Sequence, residues 1–183
     1  MTQPASKTDI QGYVKMAIDG DVDAYGVLYN TFVAPIFRYV FFQVSDRMKA
    51  EDITQEVFIK SWKSIRTCRG KEDIFSAWLY RIAYNQIVDT LRKNKQEISL
   101  ELTDPVGNTN TESEAETSLE WQRVLEALKT LPKPQRQLII LKFMEGVEND
   151  EIGDIMGKRQ GAIRALQMRA LDNLRQRLNG GRE

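Results

Sequence analysis

Apolar residues recur at helical spacing almost from one end of this chain to the other. Ile10, Tyr13, Val14, Ala17 and Ile18 follow the i, i+3, i+4, i+7, i+8 order of a single buried helix face. Thr8 or Asp9 is placed to cap that helix, and Gly20 to end it. A second helix is predicted to start near Asp23 and to pass Val27, Leu28 and Phe32. Pro35 has no N–H to donate and crowds the preceding turn. It is therefore expected to kink or break that helix before the apolar stretch from Ile36 to Val44. The third helix reads from about Lys49 to Ile65, with Ala50, Ile53, Val57, Phe58, Trp62 and Ile65 as its inner stripe. A loop follows, and a fourth helix spans roughly residues 73–93. Phe75, Trp78, Leu79, Ile82 and Leu91 mark its apolar side.

The pattern lapses over residues 96–118. Asp104-Pro105, Gly107, Asn108 and a Thr/Ser/Glu run leave few large apolar groups there. Such a segment cannot bury enough surface to offset its ordering entropy, so it reads as a flexible linker. Periodicity resumes near Leu119 with Trp121, Val124, Leu125, Leu128 and Leu131. Pro132 ends that helix, and Pro134 suits the first turn of the next. Leu138, Ile139, Ile140, Leu141 and Phe143 make this next helix nearly all apolar and hence central, and Gly146 closes it. The predicted fold is all-α: two helical domains, residues 1–95 and 119–183, joined by the linker.

Charge sharpens that division. The net charge of zero conceals +3 over residues 1–95, −7 over residues 96–120 and +4 over residues 121–183. An acidic tether joins two mildly basic lobes. The rest of the composition mainly excludes. Cys68 is the single cysteine and there is no histidine, so neither an internal disulfide nor a usual metal quartet can form. Carboxylates, lysine or tyrosine could still act as general bases. However, there is no nucleophile elbow and no phosphate-cradling glycine loop. The expectation is a protein that is not an enzyme, with no cofactor and no metal. No apolar run approaches the roughly 18–20 residues that span a bilayer, and residues 1–7 lack the apolar core of a signal peptide. A cytoplasmic protein without membrane insertion is expected.

Residues 148–178 hold the most informative pattern. Asn149, Asp150 and Glu151 favour a helix N-terminus, and Ile152 and Met156 are placed to point inward. Gly153 is small where two helices must approach, and Gly157 permits a left-handed turn. Ile163 and Leu166 then pack a second helix on the first. These are the steric needs of a helix-turn-helix. From Lys158 to Arg182 the sequence carries seven basic residues against one acid, Asp172, and arginine suits phosphate and guanine contacts. Read alone, these residues leave an ordinary helical hairpin with a solvated basic face open as the alternative.

Three blocks together resemble the extracytoplasmic-function (ECF) class of bacterial sigma factors, in the sigma-70 family. The first runs from Ala50 to Trp62 (AEDITQEVFIKSW). The second runs from Trp78 to Asn85 (WLYRIAYN), with Asp89 and Leu91-Arg92-Lys93 after it. The third runs from Leu131-Pro132 to Leu174. Their order and the acidic segment between them also fit. The resemblance implies a factor that binds core RNA polymerase, through the β′ clamp helices and the β subunit. It would direct the enzyme to promoters and aid melting, under the control of an anti-sigma partner. The first lobe would read the −10 element and the second the −35 element.

Residue by residue, the resemblance assigns polymerase binding to Asp52, Gln55, Glu56, Phe58 and Trp62. Asp52, Gln55 and Glu56 share one helix face; a solvated face is the alternative. Arg69, Lys71, Tyr80, Arg81, Tyr84, Asn85, Asp89 and Arg92 would meet the −10 element. Among these, Arg81, Asn85, Asp89 and Arg92 recur along one side, and aromatic faces could stack on melted bases. Trp78 sits on the apolar stripe, whereas Tyr80 and Tyr84 are expected to be more open. The loop from Thr67 to Lys71 would receive a flipped base, or is simply a surface loop tip. The linker carboxylates would mimic nucleic acid in a positively charged channel, or merely solubilise a tether. Lys158, Arg159, Gln160, Arg164, Met168 and Arg169 would meet the −35 element.

Two positions depart from the family pattern. Gly153 stands where Ala is usual, which is expected to loosen its helix. Glu148 stands where Ser is common, with Asn149 expected to take over as cap. A stand-alone helix-turn-helix regulator, or a helical interaction protein with no nucleic-acid role, are the competing readings.

Overall fold

The computed structural model describes residues 7–69, 74–100 and 119–179, and among these every regular element is helical. The first lobe consists of α1 (Lys7–Ile18), α2 (Val22–Val44), α3 (Arg47–Ser64), a 3-10 turn (Ile65–Cys68) and α4 (Phe75–Leu100). The second consists of α5 (Leu119–Thr130), α6 (Lys133–Ile139), a π-helical turn (Ile140–Met144), α7 (Asn149–Met156) and α8 (Gln160–Asn179).

Local chemistry sets the boundaries. Asp21 caps α2 by accepting the Ala24 N–H at 3.0 Å. Asp46 caps α3 by accepting the Lys49 N–H at 3.1 Å. Each carboxylate satisfies one of the donors that a helix start leaves over. The α3 helix therefore begins two residues before the start read from periodicity. Between the two helices the chain turns at Ser45, which takes the left-handed conformation at φ 54°. Pro35 does not end α2, which runs through it to Val44.

That helix also corrects the hydropathy reading. Val22–Val44 is long and apolar enough to cross a membrane by length and composition. Here it serves as a core helix: Ala24, Leu28, Ile36, Tyr39 and Val40 are buried, and it packs on α1, α3 and α4. The α4 helix runs on to Leu100, so residues 96–100, read as linker from their composition, continue it. The remainder of that segment, residues 101–118, lies outside the described residues.

The lobes are docked rather than held apart. Helix α7 lies against α4, the π turn lies against α2, and the buried side chains of both lobes form one continuous cluster. Among the described residues, four polar links cross between them. Gln137 Nε2 donates to the Tyr39 hydroxyl at 3.1 Å, and the Arg136 guanidinium reaches the Gln43 carbonyl at 3.5 Å. Arg38 pairs with Glu145 at 3.1 Å, and the Tyr80 hydroxyl donates to the same carboxylate at 3.2 Å. Glu145 follows directly on the π turn, its N–H donating to the Ile140 carbonyl five residues back. Such widened turns are found frequently at functional sites.

Candidate polymerase and nucleic-acid interfaces

The α3 helix buries Ala50, Ile53, Thr54, Val57, Phe58 and Ser61 and turns its other side to solvent. Asp52, Gln55 and Glu56 lie on that open side. Ile59, absent from the sequence-derived set, continues the same stripe and is 47% exposed. Its spacing from Gln55 and Glu56 was the available signal. Trp62 stands at the edge of the stripe, its ring 4.7 Å from that of Tyr25. The Tyr25 hydroxyl is held by the Phe58 carbonyl at 2.7 Å and the Ser61 hydroxyl at 2.6 Å, so the platform under Trp62 is anchored. Phe58 is only 5% exposed. Its ring meets Tyr29 edge-on at 4.8 Å, and it belongs to the support of this face rather than to its contact surface.

On α4, Arg81, Asn85, Asp89 and Arg92 are all exposed along one side. Lys60 of α3 hydrogen-bonds Gln86, tying the two helices together. Tyr84 is half-buried against the core. Tyr80 is not open as expected but 4% exposed. Its ring packs edge-on to Tyr39 at 5.3 Å and its hydroxyl is spent on Glu145. Burial, and then the neighbouring carboxylate, push the Tyr80 phenol above its usual range. Burial likewise raises the Glu145 carboxyl, against the pull of Arg38 and of Tyr80. The cause of the discrepancy is tertiary: Tyr39 of α2 and Glu145 of the second lobe both close on this side chain. In the loop, Arg69 is exposed and pairs with Asp19 at 2.8 Å. Cys68 is buried, and Lys71 lies outside the described residues.

The helix-turn-helix is formed by α7 and α8. Gly157 takes φ +63° and its N–H donates to the Gly153 carbonyl. A Cβ on Gly153 would lie 2.9 Å from the Lys158 carbonyl oxygen, closer than real Cβ contacts. The glycine therefore suits a tight turn, which corrects its reading as a loosening substitution. Ile152 and Ile155 are buried from α7, with Met156 only partly so; Ile163, Leu166 and Ala170 are buried from α8.

Nor does Asn149 cap α7. Its amide donates to Gln167 of α8 at 3.2 Å, while Glu148 occupies the cap position without a side-chain cap bond and pairs with Lys142. The outer face of α8 is open. Lys158, Arg159, Arg164 and Arg169 are exposed, Met168 is 68% exposed, and Gln160 is half-buried at the turn.

This geometry meets matching relatives. Residues 28–97 match the model of Sigma-70 region 2, and residues 121–174 match that of Sigma-70 region 4. Together these two modules define an initiation factor of RNA polymerase. The chain is 30% identical to the ECF RNA polymerase sigma factor BldN of Streptomyces coelicolor, over 94% of this chain and 68% of that one. It is also 30% identical to the ECF RNA polymerase sigma-E factor of Haemophilus influenzae, over 92% and 94% respectively. It belongs to the ECF sigma factors of the sigma-70 family. As such it binds core RNA polymerase and promoter DNA.

Two solved structures share the fold. One is CnrH in complex with the cytosolic domain of CnrY, with a TM-score of 0.72 at 21% identity, covering 94% of this chain and 98% of that one. The other is the sigma factor RpoE in complex with the anti-sigma factor NepR from Bartonella quintana. Its TM-score is 0.76 at 23% identity, covering 86% and 98%.

Proposed function

We propose a division of labour among the three open faces. The α3 stripe of Asp52, Gln55, Glu56, Ile59 and Trp62 docks on the β′ clamp helices of the polymerase, its aromatic edge supplying apolar contact and its polar groups the register. The α4 side of Arg81, Asn85, Asp89 and Arg92, with Arg69 and Lys71 of the preceding loop, meets the −10 element. Arginines hold phosphates there and Asn85 reads a base edge. The outer face of α8, with Lys158, Arg159, Gln160, Arg164, Met168 and Arg169, enters the major groove at the −35 element. Residues 1–95 and 119–183 act as the two functional domains, joined through the acidic segment. The factor works in the cytoplasm and does no chemistry of its own.

The observation that supports this most is the placement of those exposed polar and basic faces on the region 2 and region 4 modules in chain order. An anti-sigma protein is the proposed regulator, in line with the RpoE–NepR pairing of a chain of the same fold. The test is reconstitution. Core polymerase with this chain starts RNA at discrete promoters, and Asp52→Ala with Gln55→Ala abolishes both association and initiation. Unchanged association in that variant would contradict the α3 assignment.

A further inference from the structure

The contact between the lobes has a chemistry of its own. Glu145 stands at its centre with only 2% of its side chain accessible, against 51% for Arg38. One carboxylate oxygen takes Arg38 Nε at 3.3 Å. The other takes Arg38 Nη2 at 3.1 Å and the Tyr80 hydroxyl at 3.2 Å. A single residue of the second lobe thus binds two helices of the first. Clefts open to solvent flank it. A cavity of about 450 Å³ lies on one side, walled by Phe42, Val124, Leu128, Phe143 and Leu174 among others. A second, of about 330 Å³, lies on the other, between Pro35, Ser76, Tyr80 and Glu151. Glu145 and Arg38 line both. Nearby, Gln43 lends its carbonyl to Arg136 but leaves its own amide nitrogen buried without a partner. Polar links, two flanking clefts and an unmatched donor mark this part of the contact as separable, beside the apolar packing that joins the lobes.

Geometry requires that it separate. Elements named −10 and −35 are about 25 base pairs apart, roughly 85 Å along B-form DNA. A compact chain of this length has a radius of gyration of about 16 Å and is about 40 Å across. The docked form cannot reach both elements. It also masks unequally: Glu145 and Glu151 flank Tyr80, while the outer faces of α3 and α8 and the Arg81, Asn85, Asp89 and Arg92 side of α4 stay open.

We propose that Glu145 is an intramolecular latch. Through Arg38 and Tyr80 it holds the second lobe over α4, so that the free factor can offer α3 to polymerase and α8 to duplex DNA. It withholds Tyr80 from single-stranded DNA until the lobes part. The need for separation and the DNA half of this inference rest on the −10 and −35 readings given above; the docked contact through Glu145 does not.

The experiment uses the full chain and four variants: Glu145→Ala, Arg38→Glu, Glu145→Arg and the charge swap Arg38→Glu with Glu145→Arg. Arg38 is half-exposed, so its substitution tests the latch without threatening the fold. Small-angle scattering should give the wild type the compact radius of about 16 Å, larger values for the three single variants, and a return toward the wild-type value for the swap. Binding of a fluorescein-labelled, mixed-sequence single-stranded oligonucleotide should tighten about fivefold or more on opening, the contribution of one newly available stacking ring. Binding of the matching duplex should stay unchanged.

An extended wild type, or single variants as compact as the wild type, would overturn the latch. Opening with no gain in single-strand affinity would overturn the masking of Tyr80. Both results are read without polymerase, so they stand apart from a failure of the initiation assay.

Discussion

Gly153 shows how much one hydrogen can matter at the turn of a helix-turn-helix. Its missing Cβ lets the Lys158 carbonyl sit where a methyl group would clash at 2.9 Å. Gly153→Ala should therefore lower the stability of the second lobe by about 1–3 kcal/mol, as overpacking does, rather than raise it through helix propensity. Urea denaturation of the two proteins checks this. The sequence showed a small residue at the right offset, but whether Ala or Gly suited it depended on a carbonyl five residues away. Asp46 was equally invisible as a cap, because the apolar stripe of its helix starts only at Ala50. Asp46→Ala should cost about 1 kcal/mol, and Asp46→Asn much less, since both native and Asn side chains can accept the Lys49 N–H. That N–H, with Lys49 itself, holds the Asp46 carboxyl below its ordinary value. Its contribution is therefore present at neutral pH and lost only as pH falls through that depressed value. Thermal melts in an acid series read it out.

At the scale of elements, periodicity found the helices but not all their ends. Each of α1, α3, α5 and α8 was legible from its apolar stripe, and the helix-turn-helix from its two glycines. At Pro35 the sequence left a kink or a break open, and the run of α2 to Val44 excludes the break. The extension of α4 to Leu100 was missed because composition over residues 96–100 resembles that of the segment after it. The outer face of α8 carries its own prediction. If Arg164 and Arg169 neutralise phosphates, replacing either by Ala should weaken duplex binding across sequences and reduce the salt slope by about 1. Titrations at several salt concentrations measure that slope. An unchanged slope would leave both as solvated charges.

At the scale of the whole molecule, the family and the all-helical architecture were legible, because three ordered blocks are far more specific than any one of them. The docking of the lobes was not. Nothing in the periodicity of α4 distinguishes a tyrosine facing solvent from one facing another lobe, so Tyr80 was read as open and is 4% exposed. Glu145 drew no notice because its partners, Arg38 and Tyr80, lie 107 and 65 residues away in sequence. The same docking accompanies the closure of Tyr80, while the candidate faces on α3, on α8 and along Arg81, Asn85, Asp89 and Arg92 of α4 stay open.

The central claim is that this chain directs RNA polymerase to promoters of its own. It is tested most directly by mapping RNA 5′ ends made by core polymerase on genomic DNA, with and without the protein. The account predicts new, discrete 5′ ends that appear only with the protein, share sequence near −10 and −35, and vanish with Asp52→Ala and Gln55→Ala. The same 5′ ends from core polymerase alone would contradict it.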